Sequence, residues 1–304
     1  FNMMDTSITL QANSAIVGTG QWSIISGTSG IIQNTGNPVS QFSGFAGNQY
    51  FLIWTIGNYC WQNADTIEIT FAPDSTSFYC GYSMASDIDG NYYTTTQIGS
   101  QCWMAENMKA IQYSDGFYVT NGNWVGNLPG YNYAKYYFDY NSNSANSEIY
   151  GRLYTWLAAS NSAINLNDTI QGICPTGWHL PSDTEWETLA VYIANDNGGT
   201  SNGYVVGGSG GDDWELVGDH LKSTTGWNTG NGTDDYGFSA LPAGFRYYLG
   251  YNYYYYYLDL GTFWWSATES SSNEYFDRYI GIDHSFLRQV DHNSTGKSVR
   301  CVKD

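Results

Sequence analysis

Pro181-Ser182-Asp183-Thr184-Glu185-Trp186 is the clearest helix start in a chain that otherwise reads as short strands and turns. Ser182 and Glu185 have the S-x-x-E spacing of a capping box, in which each side chain satisfies a backbone N–H left over at the helix N-terminus. Trp186, Leu189, Ala190 and Ile193 follow at i, i+3, i+4 and i+7, a single apolar stripe, and the turn residues Asn195–Gly199 should end it. Working outward, Leu153, Trp156 and Leu157 predict a second helix over Gly151–Ser160, and Gly218–Ser223 is expected as a shorter third. Short strands are expected at Phe238–Pro242, Phe263–Ala267, Tyr279–Ile282 and Ser298–Val302, while Asn197–Gly211 and Thr225–Tyr236 read as long loops. Helices in the first half and a small antiparallel sheet in the second make this an α+β domain.

N-terminal to it, apolar and β-branched runs alternate with Gly, Asn and Ser turns, giving strands at Ser7–Leu10, Gln21–Ile25, Gln41–Ser43, Tyr50–Ile56 and Thr66–Phe71. In Tyr50–Ile56 one face carries Tyr50, Leu52, Trp54 and Ile56, the expected core face of a half-buried strand. Residues 1–73 therefore read as a small β-sandwich, 74–84 as a linker following Pro73, and 85–304 as the second domain. Gly20–Gly30 (GQWSIISGTSG) followed by Phe42–Ile56 (FSGFAGNQYFLIWTI) resembles the immunoglobulin-like repeats of large Bacteroidota surface proteins, which implies a spacer role.

Composition narrows the function. Ten Lys and Arg stand against 28 Asp and Glu, a formal net charge of -18. No basic face is available for a phosphate backbone, and the same sign opposes adsorption to anionic lipid. No apolar run reaches the length that spans a bilayer, so neither nucleic acid nor membrane insertion is expected. Charged residues make up only 12% of the chain, with 35 Gly, 28 Tyr and 12 Trp, a profile that suits an extracellular β-rich protein, and the resemblance to Bacteroidota surface repeats implies a place on a bacterial cell surface. No leader is visible before Phe1, which a processed chain would already have lost. The cysteines at 60, 80, 102, 174 and 301 lack zinc-site spacing and suit two disulfides with one odd thiol. The expected pairs are Cys174 with Cys301 and Cys80 with Cys102, although spacing alone leaves other pairings open.

Several strings carry a more specific signal: Asp87–Asn91 (DIDGN), Gln97–Asn107 (QIGSQCWMAEN), Gly151–Trp156 (GRLYTW) and Ile173–Ser182 (ICPTGWHLPS). They continue with Gly237–Arg246 (GFSALPAGFR), Trp265–Glu269 (WSATE) and Ser298–Asp304 (SVRCVKD). In order and spacing these resemble the Fibrobacter succinogenes major paralogous domain. The resemblance implies a C-type-lectin-like fold, so the whole chain is expected to be an all-β immunoglobulin-like sandwich followed by an α+β C-type-lectin-like domain. Some members are similar to the variable proteins of diversity-generating retroelements, in which ligand-contacting positions lie between the Gly-Phe-Arg segment and the closing Ser-Val-Arg-Cys segment. Here that interval is 247–295.

The residues support that interval independently. Tyr247–Tyr257 reads YYLGYNYYYYY, and no core buries so many phenols while pairing each hydroxyl. Paratopes favour Tyr, Ser, Gly and Asn because Tyr gives a large, stiff, amphipathic contact at small entropy cost. The expected ligand-binding residues are Tyr247, Tyr248, Tyr251, Asn252, Tyr253, Tyr255 and Tyr257, with Asn273, Tyr275, Asp277, Asp283, His284, Phe286, Arg288, Asp291 and His292. Alternation sends Tyr253, Tyr255 and Tyr257 to one face and Tyr254 and Tyr256 to the other. A second cluster, Tyr131–Tyr140, either flanks this surface or packs beneath it.

Catalysis is not expected. Formylglycine-generating enzymes share the lectin-like fold and use a reactive cysteine pair, but these cysteines are better explained as disulfides. His179, His220, His284 and His292 are isolated from one another, so no metal site is expected and no cofactor is called for. Asp212-Asp213 and Asp234-Asp235 are candidate calcium acids for which solvated loop acids are the simpler account. The calcium-lectin triplets EPN, QPD and WND are absent. The Asn167, Asn231 and Asn293 sequons and the Asp65-Thr66-Ile67 and Asp168-Thr169-Ile170 triplets are weak glycosylation candidates. The expected function is an adhesin or display protein that binds a protein or glycan ligand. Its rival is a filament or surface-layer subunit with the tyrosines in homopolymer contacts.

Overall fold

The computed structural model describes residues 6–27, 29–45, 47–58, 60–71, 78–124, 135–163, 169–197, 204–206, 211–214, 217–249, 252–282 and 286–304. The chain forms two compact units, Phe1–Tyr82 and Ser83–Asp304, and the division falls within residues 74–84.

The first unit is two three-stranded antiparallel sheets. One orders Thr6–Gln11, Val39–Gly44 and Ile31–Ile32; the other orders Thr19–Ser26, Gln49–Gly57 and Gln62–Thr70. Successive side chains on a strand point to opposite faces, and in the central Gln49–Gly57 strand Tyr50, Leu52 and Trp54 are buried while Phe51, Ile53 and Thr55 are only half so. They meet Leu10 and Phe42 of the facing sheet, with Trp22, Ile69 and Phe71, in one core. The Phe42 and Tyr50 rings meet edge to face at 5.0 Å. This is a β-sandwich.

The second unit is β-rich with short helices. Its largest sheet has seven strands in the order Tyr204–Val206, Gly211–Trp214, Phe286–His292, Glu274–Ile280, Thr262–Ser271, Ala243–Leu249 and Asn252–Leu258. All pairs are antiparallel except the junction of Gly244 with Thr262. The Asp183–Asp196 helix starts with the expected capping box of Ser182 and Glu185. It buries Trp186, Leu189, Ala190 and Ile193 against Trp103, Phe238, Trp264, Ile280 and Phe286.

Several expected elements differ. Gly151–Ser160 is helical only over Trp156–Ala159, because the Thr155 hydroxyl caps that turn by accepting the Ala158 N–H. Leu153–Tyr154 is instead a short strand paired with Tyr137 and Phe138. The helix lies one segment earlier, Ser144–Tyr150, and Gly151 ends it at φ 78°. The third helix is Val217–Leu221. Phe238–Pro242 makes only an isolated bridge from Ala240 to Lys222, since its backbone bonds close a loop onto Leu221 and Ser223. The strand expected at Tyr279–Ile282 ends at Ile280 and begins at Glu274, and the one expected at Ser298–Val302 is Val302–Lys303 preceded by a bridge at Ser298. Strands also precede the helices: Thr95–Ile98 and Gln101–Met104 join Trp178–His179 and Val302–Lys303 in one sheet, bringing the two ends of the unit together. Cys174 and Cys301 form a disulfide with Cα atoms 6.0 Å apart. Cys80 and Cys102 are also disulfide-bonded, and Cys60 is a free, exposed thiol.

Candidate functional site

The tyrosine run folds as an antiparallel hairpin, Ala243–Leu249 against Asn252–Leu258, at the edge of the large sheet. Gly244 makes the hairpin's origin possible. It sits at φ 66°, and a Cβ there would stand 2.4 Å from the Tyr256 carbonyl oxygen and 2.7 Å from the Tyr140 ring. Register pairs Phe245 with Tyr256, Arg246 with Tyr255 and Tyr247 with Tyr254. Because side chains directly opposite each other share a face, Phe245, Tyr247, Tyr254 and Tyr256 lie on one side, Arg246, Tyr253 and Tyr255 on the other.

The first side faces outward. Tyr247, Tyr254 and Tyr257 are 38%, 44% and 46% exposed. Phe245 touches Tyr247, Tyr256 and Tyr257 at centroid distances of 6.0, 5.8 and 5.8 Å, and reaches Phe263 at 4.5 Å. Tyr279 stacks on Phe263 at 4.5 Å and extends the aromatic strip onto the next strands. Tyr257 joins this side against the alternation rule. Its φ is 65°, a left-handed conformation unusual for an aromatic residue, and the turn carries the ring from the Tyr253/Tyr255 side to the Tyr254/Tyr256 side.

The second side is locked down. The guanidinium of buried Arg246 lies 3.8 Å from the Tyr253 ring centre and 4.0 Å from that of Phe138. Tyr255 rests on Tyr140 at 5.0 Å. From the second tyrosine cluster, buried Phe138 and Tyr140 and half-buried Tyr136 pack with Tyr255 and Leu258 of the hairpin, whereas buried Tyr137 lies against Arg152.

Of the expected ligand contacts, Tyr247 and Tyr257 lie on the outward face, while Tyr253 and Tyr255 lie on the packed one. Tyr251, Asp283 and His284 fall outside the described residues, as do the side chains of Tyr248 and Asn252. Tyr275, Asp277 and Phe286 are buried, which corrects their expected place on the surface. Tyr275 stacks on buried Trp156 at 3.5 Å, and Phe286 belongs to the core under the helix. Asp277 pairs with buried Lys297 at 2.6 Å, and Asp291 reaches the same ammonium at 2.9 Å. Burial pushes the Asp277 carboxyl up to about 6 despite the attraction of Lys297. Arg288 bonds Asp183 at 3.1 Å and covers the Phe276 ring. Asn273 occupies a left-handed turn at φ 66°, where its carbonyl accepts the Asn293 N–H, and His292 Nδ1 lies 2.9 Å from the Ser294 hydroxyl. The outward contributors that sequence missed are Tyr254, Tyr256 and Tyr279, although alternation had already separated Tyr254 and Tyr256 from Tyr253 and Tyr255.

The recognisable strings are held by polar contacts of their own. Asn107 Oδ1 accepts from Trp264 Nε1 at 2.7 Å and from Arg300 Nε and Nη2 at 3.1 and 2.9 Å, all buried. Asp87 accepts from the Asn91 backbone, the Asn91 amide and the Tyr93 hydroxyl, while Asp89 accepts from the backbone of Ile111 and Gln112. Their acid groups are thus spent on turns. Asp234, a candidate calcium acid, is likewise engaged by the backbone and hydroxyl of Ser239. His179 bridges Glu185 at 2.7 Å and Asp304 at 2.6 Å. Burial lowers its pKa, but the two carboxylates outweigh that and leave it raised.

A family model described as the Fibrobacter succinogenes major domain matches residues 96–303. The chain belongs to this family. The match covers the Fibrobacter-type framework from Gln97 to Val302 and, between its Gly-Phe-Arg and Ser-Val-Arg-Cys strings, the tyrosine run. No curated protein and no solved structure is significantly similar to the chain.

Proposed function

We propose that this protein is a secreted bacterial cell-surface binding protein rather than an enzyme, and that its ligand docks on the outward tyrosine face. In this view an immunoglobulin-like stalk carries a C-type-lectin-like head. The observation that carries it is the contrast within one hairpin: Tyr247, Tyr254 and Tyr257 are left open while Tyr253 and Tyr255 are packed against Arg246 and Tyr140. Exposed aromatic side chains held stiff by aromatic neighbours give contact area at small entropy cost, and such residues dominate binding energy at interfaces. The ligand is a protein or glycan outside the cell, and the outward-facing positions within 247–295 are the part subject to retroelement diversification. A near-identical template repeat beside the gene is the expected genomic sign, and its absence removes the diversification element.

The test is binding of the purified chain to intact bacterial cells and to a glycan array. Tyr247→Ala with Tyr254→Ala should weaken any binding by more than about tenfold, since interface aromatics are worth roughly 2 kcal/mol or more each. Full binding with the fold intact would place the site elsewhere. A second reading, a filament or layer subunit, draws support from the sandwich: Thr19–Ser26 and Gln62–Thr70 are edge strands, and Ile16, Val17, Ile25 and Ile31 are exposed. Light scattering separates the two, because polymers that dissociate when Tyr247 and Tyr254 are replaced support the subunit.

A further inference from the structure

Behind the tyrosine face, three charged side chains meet in a dry part of the sheet. Lys297 Nζ stands 2.6 Å from Asp277 Oδ2 and 2.9 Å from Asp291 Oδ2. Lys297 and Asp277 are enclosed, whereas the Asp291 side chain keeps 19% of its surface and so a path for protons to solvent. Aromatic rings wall the ammonium, with Trp265 at 4.8 Å and Phe263 at 5.5 Å from ring centre to Nζ. The lysine backbone is fixed as well, since its N–H donates to the Tyr154 carbonyl at 3.0 Å and its own carbonyl accepts from Tyr154 at 2.7 Å. A nucleophile, an acyl group and an acid are therefore held together by elements far apart in sequence.

Burial deprives both charges of hydration; the two carboxylates more than repay this for Lys297, whose pKa is raised, whereas Lys297 repays it only in part for Asp277. The neutral acid form of Asp277 is within reach, because burial raises its pKa. Passing one proton from the ammonium to this carboxylate yields a neutral amine against a neutral acid without separating charge.

We propose that Lys297 and Asp277 condense into an intramolecular isopeptide bond, with Asp291 relaying the protons. The Nζ lone pair attacks Asp277 Cγ. The Nζ–Cγ bond forms, Asp291 takes a proton from the nitrogen, and it hands that proton to the departing hydroxyl as the Cγ–O bond breaks. Ammonium and carboxylate become a secondary amide and one water, Asp291 ends as it began, and no oxidant, metal or cofactor enters the balance. Pre-positioning supplies what the reaction lacks in bulk water, and exclusion of solvent protects the product from hydrolysis.

The bond would join the Glu274–Ile280 strand to the closing segment, directly behind Phe263, on which Tyr257 and Tyr279 rest. It would staple the base of the binding face while leaving the outward side chains free to vary. This goes beyond the binding role and does not depend on it.

Intact mass spectrometry of the full chain, with its disulfides reduced, tests the proposal without any variant. The expected mass is lower than that of the sequence by one water. Trypsin should fail to cut at Lys297 and should release a branched peptide joining residues 247–278 to 289–300. Lys297→Arg keeps a positive charge but not the nucleophile, and should show the full mass. Asp291→Asn keeps the Lys297 and Asp277 pair, and should slow bond formation by at least about a hundredfold, the usual worth of a positioned general acid or base. A folded wild-type chain that keeps the full sequence mass after long incubation, with Lys297 cut by trypsin, overturns the proposal. So does a mass deficit that survives in Lys297→Arg.

Discussion

The framework behind the hairpin and the face in front of it are used in opposite ways. Behind, the cationic groups are buried and partnered: Arg246 between two rings, Arg300 on Asn107, Lys297 on two carboxylates, His179 between two more. In front stand neutral phenols with their edges open, resting on one another and on Phe245 and Phe263. The contrast separates stability from recognition. A face whose side chains contribute little to folding can change without loss of the fold, provided the groups behind it are fixed by contacts that do not involve it.

The largest blow to the framework should come from Asn107→Ala. It removes the acceptor shared by three donors on two buried side chains, one of them charged, and should cost about 3–5 kcal/mol in chemical denaturation. Arg246→Ala removes the cation held between Phe138 and Tyr253 and leaves a cavity under the hairpin, for an expected loss of about 2–3 kcal/mol. A paired comparison sharpens the contrast further. Tyr255→Ala should destabilise by about 1–2 kcal/mol, whereas Tyr254→Ala, one residue away on the open side, should stay within about 0.5 kcal/mol. Equal costs for the two would erase the distinction between the faces.

The smallest effect should be the pH dependence of the framework. The His179 pKa is raised above its ordinary 6.5 by Glu185 and Asp304 against the opposing effect of burial, so its stabilising contribution is complete below that value and lost as pH rises through the higher folded one. The Glu185 carboxyl is lowered below 4.5 because hydrogen bonds from His179 and Ser182 outweigh burial, so its contribution is present above that value and lost as pH falls through the folded one. Thermal unfolding should therefore show a modest decline on the alkaline side that His179→Gln abolishes. A decline that persists in the variant would assign it to another group.

Much of the framework was legible locally. The Ser182/Glu185 box, the stripe from Trp186 to Ile193 and the core face of Tyr50, Leu52 and Trp54 depend on neighbours a few residues away, and all three are found. The short elements were not. Leu153–Tyr154 and Val302–Lys303 are too brief for any period to show, and Thr155 acts as a cap inside what looked like one helix.

The sequence by itself determined that a tyrosine-rich segment lies between two framework strings, that Cys174 and Cys301 can staple that framework, and that alternation divides the tyrosines into two sets. Only the tertiary structure decided which set meets solvent. Period-two alternation defines two faces but carries no information on what covers either, and that depended on Arg246, Phe138 and Tyr140 arriving beneath Tyr253 and Tyr255. The left-handed turn at Tyr257 moved one ring across the hairpin with no glycine to announce it. Asp277 and Asp291, read as surface acids, became partners of Lys297, because a pairing between strands is set by register and chain closure rather than by any spacing along the chain.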